Sequence, residues 1–218
     1  MVTAVLLSFG LYDALVAAPT EQTMGDVQRI FYYHVPSAWT AFLLFSINFV
    51  ASLVYLIRRN LKADILALTS AEVGVVFCTV VLVTGPIWAR PVWGIWWTWD
   101  LRLTLTLLLW LIYVSYLMLR RFSTSSQTPL LAAVLAIFGA LDIPLVYFSI
   151  WFFRTQHPSP VVGDGGSLDP RMAHVLLINW AAFSCLAWLI CWTRYRLEVL
   201  KREVDEAQAM ESLNEVAR

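Results

Sequence analysis

Charged side chains are scarce in this chain of 218 residues. Lys and Arg number 15 and Asp and Glu 15, together 14% of the chain, whereas a typical soluble domain carries about 25%. Hydrophobic residues make up 60%, and the mean hydropathy is +0.69. The chain is therefore predicted to be an integral membrane protein. Its net charge of zero gives no indication of a nucleic-acid partner.

Cysteines are few, and the common catalytic motifs are missing. Cys78, Cys185 and Cys191 fall within or at the end of apolar runs without CxxC spacing, which argues against a disulfide framework or a thiol relay. We expect them to be small buried hydrophobic residues. The sequence has no HExxH, P-loop, nucleophile-elbow or paired-carboxylate motif. It therefore gives no basis for hydrolysis or nucleotide chemistry, and no enzyme activity is predicted.

Six apolar runs approach or exceed the length of a transmembrane helix, which needs about 20 apolar residues. They cover residues 2–18, 35–57, 65–88, 103–119, 130–152 and 175–193. The predicted fold is an all-α integral membrane protein with six transmembrane helices in residues 1–193. Residues 194–218 keep apolar side chains at intervals of three to four, which predicts a cytoplasmic amphipathic helical tail.

The predicted orientation follows from Lys and Arg, which are enriched in cytoplasmic loops. One side of the bundle carries nine: Arg58, Arg59, Lys62, Arg120, Arg121, Arg194, Arg196, Lys201 and Arg202. The other side carries five: Arg29, Arg90, Arg102, Arg154 and Arg171. Both termini are therefore predicted to be cytoplasmic, in the plasma (inner) membrane. Residues 19–34, 88–102 and 153–174 are predicted to lie on the outer face.

Residues 88–102, here called the tryptophan segment, read WARPVWGIWWTWDLR and hold five of the eleven tryptophans. If a helical turn starts at Trp93, then Trp93, Trp96, Trp97 and Asp100 share one face, and Trp99 points elsewhere. An aromatic belt at the membrane interface explains scattered tryptophans, but it needs only one or two rings at a helix end. The density of indoles favours a binding platform for a flat, apolar ligand.

All three histidines, His34, His157 and His174, fall on the predicted outer side. A single histidine at a membrane boundary is more often a hydrogen-bonded interfacial residue than a ligand. Beside an indole-rich surface, however, two imidazoles are able to clamp a haem iron from opposite sides. Zinc is the competing metal, but the cysteines or clustered carboxylates that usually complete its coordination are missing. The residues alone leave open which two histidines act.

The five outer arginines are candidates for pairing with haem propionates, because a guanidinium suits bidentate carboxylate recognition. Asp100 and Arg102 either pair with each other or contact a propionate or a partner. Two carboxylates lie inside predicted spans, where such groups are candidate functional residues. Glu72 either makes a bundle-internal hydrogen bond or helps to move a proton or haem. Asp142 is interpreted as the polar partner of backbone freed by Pro144.

The motif VWGIWWTWDLRLT resembles the WWD signature of the haem-handling proteins of cytochrome c maturation. More closely, the chain resembles the CcmC-type family, haem exporter protein C. IFYYHVPSAW is similar to the segment around that family's first haem-ligating histidine, and DIPLVYFSIWFFRTQHP to the segment leading to its second. The similarity covers residues 28–158. The chain departs from the family pattern by starting directly in its first span and by its longer acidic tail.

The resemblance implies His34 and His157 as iron ligands and leaves His174 unmatched. It also implies a platform that binds haem b, formed by Trp93, Trp96, Trp97, Trp99 and Asp100, with Arg102 as an adjacent cation. The implied function is to hold haem b at the outer (periplasmic) face and present it to a membrane-anchored haem chaperone. Implied partners are that chaperone, ATP-binding cassette subunits, a small membrane subunit and membrane lipid. It remains open whether the chain promotes covalent attachment of haem to the chaperone.

Two other functions compete with this expectation. The first is a transmembrane b-type haem oxidoreductase that exchanges electrons with quinone. Such cytochromes usually place their ligand histidines inside helices, whereas no histidine here falls in the middle of a span. The second is a solute transporter that uses Glu72 and Asp142.

Overall fold

A computed structural model describes residues 1–153, 155–157 and 168–216. These residues are almost entirely helical. The helices are α1 Val2–Tyr12, α2 Phe31–Arg58, α3 Leu61–Trp93, α4 Leu101–Phe122, α5 Thr128–Ala140, α6 Asp142–Phe152 and α7 Pro170–Val216. A π-helical turn, Asp13–Ala17, extends α1, and a 3-10 turn, Asp26–Ile30, leads into α2.

The described residues include five helical segments that are long and apolar enough to cross a membrane, and one shorter apolar helix, Val2–Ala17. The predicted all-α, multi-pass membrane architecture is thus confirmed. The predicted span at residues 130–152 is not one continuous helix, because α5 ends at Ala140 and α6 begins at Asp142. Pro144 accounts for the break, since it has no N–H to donate to the carbonyl of Ala140.

The centre of the bundle is built on the antiparallel pair α2 and α3. A Cβ at Gly74 would lie 2.6 Å from Cε1 of Phe45, so only glycine lets the Phe45 ring pack against α3 here. The other side of that ring stacks on Tyr113 of α4, with ring centroids 3.8 Å apart. Small residues that let helices approach closely are typical of membrane bundles.

The tryptophan end is the end of the bundle that carries the tryptophan segment. At the opposite end, Asp64 is 2% exposed and joins three helices. Arg120 of α4 donates to Asp64 through Nη1 at 2.6 Å and Nη2 at 2.9 Å. Arg202 of α7 donates to the same carboxylate at 2.9 Å. Two guanidinium groups therefore compensate the buried charge and hold α7 against the bundle at residue 202.

The intramembrane carboxylates differ from each other. Glu72 makes a half-buried ion pair between α3 and α7, because Arg194 donates to its two oxygens at 2.9 and 2.8 Å. Both oxygens of Asp142 are buried without a hydrogen-bond partner among the described residues. The interpretation of Asp142 as the partner of backbone freed by Pro144 is therefore wrong. The carboxyl lies beside the helix break but does not bond to it.

The remaining predictions on the helices concern cysteines and the tail. Cys78 and Cys191 are buried as expected, whereas Cys185 is half-buried. Beyond residue 193, where the last predicted span ends, α7 continues as a helix to Val216. From residue 203 to 215 every side chain is exposed. This part of α7 thus extends beyond the bundle.

The Asp64 cluster gives a test of the fold. Asp64→Asn keeps the shape but removes the charge, which leaves two guanidinium groups facing a neutral amide. We expect the free energy of unfolding to fall by roughly 3 kcal/mol, as for other broken buried pairs. The measurement is SDS-induced unfolding in mixed micelles. Asp205→Asn, in the exposed part of α7, is the matched control, and equal unfolding curves for the two variants would contradict the assignment.

Candidate functional site

The tryptophan segment is a loop between two helices. Trp93 is the last residue of α3, and Gly94 follows with φ of 79°, a left-handed conformation that ends a helix. Residues 95–100 are not helical, and Asp100 caps α4 by accepting from the backbone N–H of Leu103 at 3.0 Å. The predicted helical face that runs from Trp93 to Asp100 is therefore wrong. The left-handed glycine overrides the helical spacing of the indoles.

The indoles of this loop are unequally exposed. Trp96 and Trp99 are 59% and 76% exposed, while Trp93 and Trp97 are half-buried. Trp97 meets Trp99 edge-on, with ring centroids 5.8 Å apart. The indole N–H of Trp97 is buried without a hydrogen-bond partner in the described part of the chain. The loop thus presents an apolar aromatic surface at this end of the bundle.

His34 lies in the first turn of α2, directly beside the part of α3 that is nearest the tryptophan end. Its Nδ1 is 2.8 Å from the hydroxyl of Thr84, and its ring meets Trp88 edge-on at 5.8 Å. Gly85 backs the same ring, since a Cβ there would lie 3.4 Å from Cε1 of His34. Only 8% of His34 is exposed. The imidazole is therefore held in a fixed position between two helices.

The structure brings His157 to the same end of the bundle. His157 is half-buried and, like Arg102, lies within electrostatic range of His34. Its segment is tied to the tryptophan loop, because the backbone N–H of Gln156 donates to Oδ2 of Asp100 at 3.3 Å. Asp100 therefore performs two tasks: one oxygen caps α4, and the other holds the chain next to His157. His174 is exposed in the first turn of α7, and no described contact joins it to His34.

The arginines predicted on the outer side differ in what they contact. Arg29 donates to the carbonyls of Ala14 at 2.7 Å and Ala18 at 3.4 Å, so it caps the end of the first helix. Arg90 donates to the carbonyl of Gly94. Arg171 pairs with Asp169 at 3.0 Å, and this hydrogen bond holds the pKa of Asp169 below its ordinary value.

Arg102 stands apart from these three arginines. It is half-buried in the first turn of α4, and its guanidinium makes no hydrogen bond or ion pair within the described residues. The alternative in which Asp100 and Arg102 pair with each other is thus not observed. Arg154, the fifth arginine predicted on this side, lies outside the described residues. Of the four described, Arg102 is the one whose guanidinium makes no hydrogen bond to a described residue.

Thr84, Gly85 and Trp88 around His34 were not predicted as part of the site. Their spacing of i, i+1 and i+4 places them on one face of α3, and this pattern was visible in the sequence. The sequence does not show that this face meets a histidine 50 residues earlier in the chain. Among the described residues, no three His, Cys, Asp or Glu side chains converge as a metal site. Haem iron, in contrast to a bare metal ion, brings four pyrrole nitrogens as ligands and takes only its axial ligands from a protein.

Comparison with known proteins places the chain in a family. The family model described as heme exporter protein C matches residues 1–210. Heme exporter protein C of Bradyrhizobium diazoefficiens is 36% identical over 96% of this chain and 81% of its own length. Its counterpart in Escherichia coli K12 is 30% identical over 91% and 80%. A ccmC-like mitochondrial protein of cytochrome c biosynthesis from Marchantia polymorpha is 31% identical over 82% and 76%. The chain therefore belongs to the heme exporter protein C family.

Proposed function

We propose that the chain binds haem b at its tryptophan end, on the outer face of the inner membrane, and presents it to a membrane-anchored haem chaperone. Membership of the heme exporter protein C family supports the broader role, haem delivery for cytochrome c maturation. One observation carries the proposal for the site. His157 and Arg102 both lie within electrostatic range of His34, at the end of the bundle that carries a loop of exposed indoles.

The iron ligands are His34 and His157. Neutral imidazole is a common ligand of haem iron, and two histidines from different parts of the chain are able to bind opposite faces of one macrocycle. His34 comes from a helix and His157 from the segment after α6. Because only 8% of His34 is exposed, haem must displace neighbouring side chains to reach its ring.

The exposed indoles supply the apolar contact for the macrocycle or for the acceptor protein. Trp96 and Trp99 expose 59% and 76% of their surface, which is costly in water unless a ligand, lipid or partner covers it. A porphyrin is flat and apolar except at its two propionates. Stacking of the porphyrin on the indoles therefore removes the apolar surfaces of both from water.

Arg102 is the cation that we assign to a propionate. It is half-buried beside His34, and its guanidinium has no partner within the described residues. A partly buried charge without a partner is unfavourable, and a carboxylate that arrives with the ligand compensates it. The predicted Asp100 contact to haem is instead assigned to holding the loop, since both its oxygens accept backbone hydrogen bonds.

The proposed assembly includes partner proteins that supply functions for which this chain has no motif. The sequence has no nucleotide-binding motif, so energy from ATP requires separate ATP-binding cassette subunits, which we expect together with a small membrane subunit. The excess of Lys and Arg at the opposite end supports an outward-facing tryptophan end. The chain then acts as a haem-transfer and assembly factor.

The ligand assignment is tested by absorption spectroscopy. We expect His34→Ala combined with His157→Ala to abolish the haem Soret band of protein purified from haem-replete membranes, because both axial ligands are removed. His174→Ala is the matched control on the same side and should keep the wild-type spectrum. A double variant with an unchanged Soret band would rule out these two ligands.

The propionate assignment is tested with a modified ligand. We expect Arg102→Gln to weaken haem binding about tenfold, which corresponds to about 1.4 kcal/mol and is typical of a hydrogen bond to a charged group. Haem dimethyl ester has no carboxylates, so its affinity for wild type and variant should be the same. Arg171→Gln, which changes an exposed arginine paired with Asp169, serves as the control. Equal weakening of haem and its ester would show that Arg102 acts on the fold instead.

A further inference from the structure

We propose that Thr84 is a positioning residue that fixes the tautomer of His34, so that the lone pair of Nε2 is available to iron. The inference rests on the proposed function, because it assumes that His34 is an axial ligand. It concerns a residue that contacts neither the iron nor the macrocycle. The position of one hydroxyl proton decides which nitrogen of His34 carries the hydrogen.

The Thr84 hydroxyl has two close neighbours. Its Oγ1 lies 2.7 Å from the carbonyl oxygen of Val80, one turn earlier in α3, and 2.8 Å from Nδ1 of His34. A carbonyl oxygen only accepts hydrogen bonds, and a hydroxyl has one proton to give. Two oxygens 2.7 Å apart need that proton between them. The hydroxyl therefore donates to Val80 and accepts from His34.

The tautomer of His34 follows from this arrangement. Since Thr84 accepts, Nδ1 of His34 must carry a hydrogen. A neutral imidazole has only one N–H, so Nε2 carries the free lone pair. Metal-binding histidines commonly donate their second N–H to a fixed acceptor, which orients the ring and raises the basicity of the ligating nitrogen. Thr84 provides that acceptor from the adjacent helix.

The contact is not needed to satisfy Thr84 within the membrane. The hydroxyl already donates to the carbonyl of Val80. Thr79, five residues earlier in the same helix, donates to the carbonyl of Val75 in the same way. For His34, by contrast, Thr84 is the hydrogen-bond partner found among the described residues. The edge-on contact with Trp88 further restricts rotation of the ring. The hydrogen bond therefore serves the histidine rather than the threonine.

Thr84→Val tests the proposal, since it keeps the shape of the side chain and removes the acceptor. We expect about a tenfold loss of ferric haem affinity, within the range found for changes to such supporting residues. If ferrous affinity is unchanged, a tenfold loss raises the haem midpoint potential by about 59 mV for one electron. Spectroelectrochemical titration measures this shift. Thr84→Ser keeps the hydroxyl and should restore the wild-type potential and affinity.

Thr79→Val is the matched control. It removes a hydroxyl from the same helix that also donates to a backbone carbonyl and accepts from a ring N–H, that of Trp110 at 2.8 Å. We expect this variant to keep the wild-type midpoint potential. A shift of equal size in Thr79→Val and Thr84→Val, or wild-type behaviour of Thr84→Val, would overturn the proposal.

The unmodified protein provides a second measurement. ¹⁵N spectra of histidine-labelled, haem-free protein should contain a protonated Nδ1 and an unprotonated Nε2 that both disappear in His34→Ala. The opposite tautomer would overturn the proposal without any change to Thr84. The outcome is also separable from the proposed function. If His34→Ala leaves haem ligation unchanged, the ligand assignment itself fails. If His34→Ala abolishes ligation by this residue but Thr84→Val keeps the wild-type haem affinity and midpoint potential, only the role of Thr84 is refuted.

Discussion

The antiparallel packing of α2 against α3 is the contact on which the candidate site depends. Three pairs set the register of the two helices: Asn48 donates to the carbonyl of Ala67 at 2.7 Å, Phe45 packs on Gly74, and His34 bonds to Thr84. From Asn48 to His34 these contacts follow about 20 Å of helix at 1.5 Å per residue. A shift of one residue would rotate the imidazole away from the hydroxyl. The packing of Gly74 in the core is therefore also a condition for the geometry of His34.

The two ends of the bundle differ in how their charged side chains are compensated. At the end away from the tryptophan segment, Arg120 and Arg202 compensate the charge of Asp64, and Arg194 compensates that of Glu72 nearby. A bilayer offers no water to buried charges, so such pairs are the arrangement expected of residues that only hold helices together. At the tryptophan end, the guanidinium of Arg102 has no partner within the described residues, and Trp96 and Trp99 face outwards. This end has the unused binding capacity that a ligand or a partner requires.

The sequence was sufficient for the helices, because long apolar runs have few alternatives in a membrane. It also identified the tryptophan segment and the three histidines, which the structure places at one end of the bundle, and the resemblance selected His34 and His157 among them. It failed where a single backbone feature decides the outcome. Gly94 adopts a left-handed conformation that ends α3 and breaks the expected helical face, and Pro144 divides a predicted span. Thr84 could not be assigned to His34 because their contact depends on the register of two helices, which no local pattern encodes.

The two histidines are positioned by different parts of the structure. His34 is part of a helix, is 8% exposed and is fixed by a hydrogen bond of 2.8 Å and by Trp88. His157 lies outside the helices on a segment tied to Asp100 by a longer hydrogen bond of 3.3 Å at Gln156. Ordering His34 in advance lowers the entropic cost of binding iron there. On the proposed function, His34 is therefore the ligand whose position the packing of α2 against α3 sets before haem binds.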